Sequence, residues 1–165
     1  MGSLKLLNAV KASVVEPVKE TKRGSMFVEA LIGGKRVKAL ADTGATHNFM
    51  REGVAKALGL SINPTKGTIK SVNTTAKSVV GEAKSVPTQI GDWKGVVSFT
   101  VVPMDDYDIV LGLRWFGQVR ACIIPYSDSL IILDHEKTSA IPAKRESEGK
   151  GMLSAMQFSR GLKTL

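Results

Sequence analysis

The chain has 165 residues, 43% apolar and 23% charged, enough to bury one hydrophobic core and leave extensions at its ends. Its single cysteine, Cys122, excludes an internal disulfide framework and a cysteine-based metal set. The net charge of +8 sits mostly at the ends, where residues 1–24 carry five basic and two acidic side chains and residues 135–165 six and three; with only 5% aromatics, this predicts basic tails weakly attractive to nucleic acid rather than a folded stacking platform.

Residues 1–24 mix Lys, Glu, Val and Ala without a sustained period and read as an N-terminal extension or linker. Lys5 and Lys11 interrupt the apolar stretch that a secretory signal needs, and Leu6 stands where a myristoylation motif wants Ser or Thr. No run approaches the roughly 20 apolar residues of a membrane span. A soluble, intracellular, cytoplasmic protein without membrane contact is therefore expected.

At Ser25 the pattern changes. "SMFVEALIGGKRVKALAD" reads as two strands about a Gly33-Gly34 turn, because paired glycines supply the positive φ of tight hairpins, and the second strand runs into Asp42. "HNFMREGVAKALGL" places Phe49, Met50, Val54, Ala57 and Leu58 near helical spacing, with Gly59 as its C-terminal cap. After the loop "SINPTKG" come short runs rich in Val, Ile and Thr: "TIKSV", "AKSVVGEA", "KSVPTQI", "GVVSFTVVP" and "YDIVLGL". They predict an all-β domain over residues 25–134, mainly β with one or two short helices, closed on itself as a barrel. "LRWFGQV" is a short helix candidate, and "ACIIPYSDSLIILD" a hairpin turning over residues 125–129. Residues 135–165 read as a basic linker and a short C-terminal helix, "MLSAMQFSRGLKTL".

The chemistry concentrates in "ALADTGATHNFM". A carboxylate that activates water has to be held rigidly; Gly44 lets the backbone turn tightly behind it and the Thr43 hydroxyl can both donate and accept within that turn. Some sixty-five residues later "YDIVLGLRWF" supplies an apolar strand, Gly112 and a helix start. Asp-Thr-Gly after an apolar β run, followed by an apolar-apolar-Gly element before a helix, resembles the aspartic proteases. With "SVPTQIGDW" and the late "LSAMQFSRGLKTL", the chain is similar to the retropepsin-like protease region of gypsy-type LTR retrotransposon polyproteins, particularly those of plant genomes.

That resemblance implies a closed acid-protease-like barrel with one lobe per chain and Asp42, Thr43 and Gly44 as catalytic residues. It implies substrate contacts at Ala45, Thr46 and the flap turn near Thr74, with Val110 and Leu111 walling the pocket as positions of the second motif. Substrates would be peptide segments of the chain's own polyprotein, matured in a cytoplasmic retroelement particle. The sequence departs from retroviral proteases at the flap: "IKSVNTTAKSVV" turns at residues 73–76 without a Gly-rich tip.

The chemistry needs two carboxylates sharing one proton, and no second Asp-Thr-Gly or half-domain repeat is present. A homodimer with two Asp42 loops across a twofold axis is therefore expected, each Thr43 bonding to the opposite chain as in the related family. No cofactor or metal is called for. Asp105, Asp106 and Asp108 read as a turn before a strand, His47 as a polar residue near a helix start, Trp93 and Trp115 as packing residues, and Cys122 as a small buried hydrophobe. The "NTT" glycosylation pattern at 73–75 is discounted without a secretory signal. The rival function is a catalytically inactive dimerisation or peptide-binding module; an RNA-binding Gag fragment would need a zinc knuckle, which one cysteine cannot make.

Overall fold

In chain order the computed structural model, which describes residues 24–71, 75–135, 137–146 and 156–159, begins with a hairpin. Strands β1 (Ser25–Ile32) and β2 (Lys35–Ala41) turn through Gly33 and Gly34 at φ +58° and +75°, a region that side chains with a Cβ avoid. There follow β3 (Phe49–Arg51), helix α1 (Glu52–Ala57), β4 (Asn63–Pro64), and the hairpin β5 (Thr68–Ser71) with β6 (Lys77–Ser78). Two ten-residue strands come next, β7 (Gly81–Ile90) and β8 (Trp93–Val102), then β9 (Ile109–Leu111) and helix α2 (Leu113–Val119). The rest comprises β10 (Ala121–Ile124), a 3₁₀ turn at Pro125–Ser127, β11 (Ser129–Leu133), β12 (Thr138–Pro142), β13 (Lys144–Glu146) and β14 (Met156–Ser159).

The main sheet runs β13-β1-β2-β9-β3-β8-β7-β4, and an extra pairing of Leu31 and Ile32 on β1 with Gln89 and Thr88 on β7 joins its two sides. The ring β1-β2-β9-β3-β8-β7 is thus a closed six-stranded barrel, as the alternation of short β-branched runs predicts. Closure removes edges that would otherwise invite pairing with other chains. Most pairings are antiparallel, but β2–β9 and β3–β8 are parallel, so β9 is inserted between two strands it does not follow in sequence. Inside sit Ile32, Met50, Ile90, Val97, Phe99, Ile109 and Leu111, all essentially inaccessible. Trp115, fully buried, meets Phe116 and Trp93 edge-on at 5.3 and 6.0 Å between ring centres, contacts worth about 0.5–1.5 kcal/mol each beyond burial.

Four local expectations differ from the structure. The helix expected over residues 47–60 is confined to Glu52–Ala57, because Phe49 and Met50 are drawn into the barrel between β9 and β8 and become strand. Gly59, at φ +68°, does end it: Gly59 N donates to Lys56 O and Leu60 N to Ala55 O, the two bonds of a Schellman cap. The linker expected after Asp134 instead carries β12 on β11 and β13 on β1, anchored by buried Ile141 and by Arg145, whose guanidinium donates to Asp128 Oδ1, Gly24 O and Pro125 O at 2.8, 2.7 and 3.3 Å. Of the C-terminal helix expected over 152–165, Met156–Ser159 is a strand paired with β5, whose edge offers its backbone partners, and the rest lies outside the described residues. Cys122, expected buried, is exposed, on the outward-facing side of β10.

Candidate active site

The last rung of the β2–β9 ladder sets Ala41 beside Leu111, and one residue on, Asp42 N donates to Leu111 O at 3.0 Å. The parallel neighbour thereby delivers Asp42 to the end of a fully paired strand. The chain then turns back on itself: Ala45 N donates to Asp42 O (3.2 Å) and Gly44 N to the carboxylate oxygen Asp42 Oδ1 (2.8 Å). This side-chain-capped turn removes much of the rotational freedom of the carboxylate. Asp42 is half-buried, Thr43 and Gly44 are exposed, and Ala45 is fully buried, so the turn presents its acid on a rim whose far side is rooted in the core.

The turn from β9 into α2 holds this loop from behind. The first N–H groups of a helix have no partner within it. Here Leu113 N donates to Ala45 O (2.8 Å) and Arg114 N to Thr46 O (3.3 Å), so the loop supplies acceptors to the helix start. Gly112 makes the approach possible. Its φ of −100° is open to any residue, but a Cβ there would lie 2.2 Å from His47 O and 2.7 Å from Ala45 O. The Asp-Thr-Gly loop and the apolar-apolar-Gly element, far apart in sequence, are thus in backbone contact.

Asn48, to which the sequence reading gave no role, is the third fastening. Only 4% exposed, it accepts from Gly112 N through Oδ1 (3.0 Å), donates from Nδ2 to Ser98 O (3.3 Å), and accepts from Thr100 N through its backbone carbonyl (2.8 Å). One buried amide therefore ties the candidate loop to α2 and to β8. The sequence signal was an amide entering the apolar run "NFM", where a buried polar group needs partners.

Of the other expected site residues, Thr46 is exposed and its Oγ1 lies 2.8 Å from His47 Nδ1. Val110 is fully buried in a cluster with Leu40, Ala45, Phe49, Ile69 and Val79, which joins the loop to the β5–β6 hairpin. Leu111, one residue on and so facing the other way, packs into the barrel core rather than into this cluster. Thr74 lies outside the described residues. Within the acid cluster, Asp108 takes an ion pair from Arg51 at 2.5 Å, and Arg51 N donates to Asp108 O, which fixes the start of β9 against β3. A cavity of about 510 Å³ lies elsewhere, walled by Phe27, Glu29, Arg36, Lys38, Lys144 and Glu146; none of residues 42–46 lines it, and of its charges Lys38 pairs with Glu146 and Arg36 with Glu29.

The family model described as "gag-polyprotein putative aspartyl protease" matches residues 28–118, which contain both the Asp42 loop and Gly112. The chain belongs to this retropepsin-like aspartyl protease family. Among curated proteins it is 31% identical over 113 residues to DNA damage-inducible protein 1 of Neurospora crassa, covering 67% of this chain and 26% of that protein. It is 32% identical over 137 residues to the UBA domain-containing protein Mud1 of Schizosaccharomyces pombe, covering 81% and 40%. The chain therefore spans well under half the length of these relatives, which are not named as retrotransposon polyproteins. Among solved structures, the retroviral protease-like domain of Ddi1 from Leishmania major superposes with a TM-score of 0.61 at 20% identity, over 74% of this chain and 96% of that one, a likeness of fold.

Proposed function

We propose that this retropepsin-like domain is an aspartic endopeptidase that works as a homodimer, with Asp42 of each copy forming a catalytic dyad. The observation that carries the reading is the fastening of Asp42: a half-buried carboxylate on an exposed turn, oriented by Gly44 N and backed by Ala45, Asn48 and Gly112. Thr43 and Gly44 beside it are exposed, and Leu113, whose N–H holds Ala45 O, is 50% exposed although apolar. Such a rim suits a symmetric contact that brings two loops together.

In the dyad one carboxylate takes a proton from a water molecule as its oxygen attacks the peptide carbonyl. The protonated partner gives its proton to the carbonyl oxygen, and the resulting diol breaks its C–N bond as a proton passes to the departing amine. Two carboxylates close enough to share a proton cannot easily both ionise, so activity should be bell-shaped in pH, and the two apparent values belong to the pair. Gly44, Ala45 and Thr46 would border the bound peptide, with Val110 beneath. Leu111 would support the wall only from behind.

The proposed substrates are segments of the chain's own polyprotein, and the proposed setting is a retrotransposon product in a cytoplasmic particle. The gag-polyprotein family match and the basic ends support this, while the likeness to DNA damage-inducible protein 1, which runs over 113 residues, supports the retropepsin-like domain alone. A second reading, a peptide-holding dimer without turnover, draws on the glycine-free flap sequence at 73–76. The test is cleavage of a mixed peptide library near pH 5 with and without pepstatin, for the wild-type chain and Asp42→Asn. Pepstatin-sensitive cleavage lost in Asp42→Asn is expected, with specific activity falling steeply on dilution. Cleavage retained by Asp42→Asn, or constant activity in a demonstrated monomer, refutes the reading.

A further inference from the structure

The sheet β14-β5-β6 joins two parts of the chain that are far apart in sequence. Strand β5 has β6 on one edge, where only Thr68 and Ile69 are paired, opposite Ser78 and Lys77. Its other edge is taken along its whole length by β14, antiparallel, with Met156, Gln157, Phe158 and Ser159 opposite Ser71, Lys70, Ile69 and Thr68. Among the described residues β14 pairs with nothing else. The hairpin it joins leans on the candidate site, because Ile69 and Val79 share a buried cluster with Ala45 and Val110 and Val79 N donates to Gly67 O.

We propose that the edge of β5 facing away from β6 is a strand-accepting site and that Met156–Ser159 is its occupant in cis, a competitor that an incoming extended peptide has to displace. A two-stranded hairpin is marginal in water and gains from a third strand, while a ladder of only four residues is readily exchanged. Main-chain pairing accepts any extended peptide, with side chains on alternate positions setting preference. Strand β14 belongs to the same chain as β5, so its pairing is intramolecular and competes at an advantage over dilute peptide. The assignment rests on the protease reading only for what the displacing peptide is, a substrate.

The test keeps the full chain. In the Asp42→Asn background, amide hydrogen exchange is compared with and without the pair Gln157→Pro and Phe158→Pro. Neighbouring N–H groups in a strand point to opposite sides, so two consecutive prolines remove at least one donor to β5. Among the described residues Lys70 and Ser71 pair only with β14, so whichever of the two directs its N–H to β14 is expected to lose protection at least about tenfold while β1 and β8 stay unchanged. A fluorescent peptide of sequence LSAMQFSRGL is expected to bind the proline variant at least about fivefold more tightly than its parent. Unchanged exchange at Lys70 and Ser71, or equal peptide affinity in the two proteins, overturns the assignment. With Asp42 intact, the same prolines are expected to lower KM for an unrelated peptide and leave kcat alone. Should no preparation cleave any peptide, the protease reading fails, whereas exchange and binding in Asp42→Asn still decide the strand assignment.

Discussion

Replacing Gly112 with Ala isolates the contact on which the candidate site depends. At a φ of −100° alanine is unstrained, so conformational entropy alone would stabilise the variant by about 0.4–1 kcal/mol. Sterics oppose this. The added Cβ would meet His47 O at 2.2 Å and Ala45 O at 2.7 Å, where ordinary contact begins near 3.4 Å, and both obstacles are backbone. Overpacking of this kind costs about 1–3 kcal/mol. Moving the loop away also weakens the bonds from Gly112 N to Asn48 Oδ1 and from Leu113 N and Arg114 N to Ala45 O and Thr46 O, each worth about 0.5–1.5 kcal/mol net. The balance is a loss of about 2–5 kcal/mol.

Urea unfolding followed by tryptophan fluorescence measures it, since Trp115 lies in the core, and an unchanged m-value certifies that the two transitions compare like with like. Gly53→Ala in α1 and Gly117→Ala in α2 are the controls: nothing lies within 4 Å of either added Cβ, so each should stabilise its helix by about 0.5–1 kcal/mol. Under conditions where Gly112→Ala is fully folded, peptide cleavage should still fall by about 100-fold, the effect of displacing a reacting group by roughly 1 Å. A Gly112→Ala protein as stable as wild type would show that the loop and the α2 turn are not packed against each other as described.

Asn48→Asp should be destabilising at pH 7, because the introduced carboxylate is buried and faces Ser98 O without a proton to donate. Its folded-state pKa lies above the unfolded value of about 3.9, so the deficit relative to wild type should be small below that pH and grow as pH rises through the folded value; a pH-independent deficit between pH 4 and 7 would contradict this. Arg145→Met removes three hydrogen bonds from a side chain only 15% exposed and should lower the unfolding free energy by about 2–3 kcal/mol, against a refuting change under 0.5. Cys122 should react with maleimide in the native chain at a rate near that of a free thiol; protection that disappears on dilution would mean that a second copy covers the outer face of β10.

The barrel was legible because its signals are local. Gly33-Gly34 fixes one hairpin, and the β-branched runs between Gly, Pro and Asn breaks mark the strands. What escaped was decided at long range. Residues 49–51 have helical spacing but become strand because β8 and β9 flank them, and the polar residues 138–146 become strands because β11 and β1 have edges to fill. Cys122 is exposed although its strand is apolar, because β10 lies in a separate three-stranded sheet with an outward face. Periodicity measures which face of an element is apolar, and it is silent on which partner that face meets.

The candidate site divides along the same line. Asp42, Thr43 and Gly44 carry their signal within three consecutive letters, and Gly112 within a second motif, so both could be read off the chain. Asn48 carries only the general signal of an amide entering an apolar run, because its importance comes from three bonds to Gly112, Ser98 and Thr100, residues 50 or more positions away. The pair Val110 and Leu111 shows the limit of carrying residues over from a resemblance: adjacent strand residues face opposite ways, so only Val110 joins the cluster with Ala45 while Leu111 fills the barrel. Leu111→Ala should accordingly act on stability, costing about 2–5 kcal/mol, whereas Val110→Ala should in addition alter which peptides are cleaved. Equal shifts in peptide preference for both would mean that the two strand faces do not separate core from site.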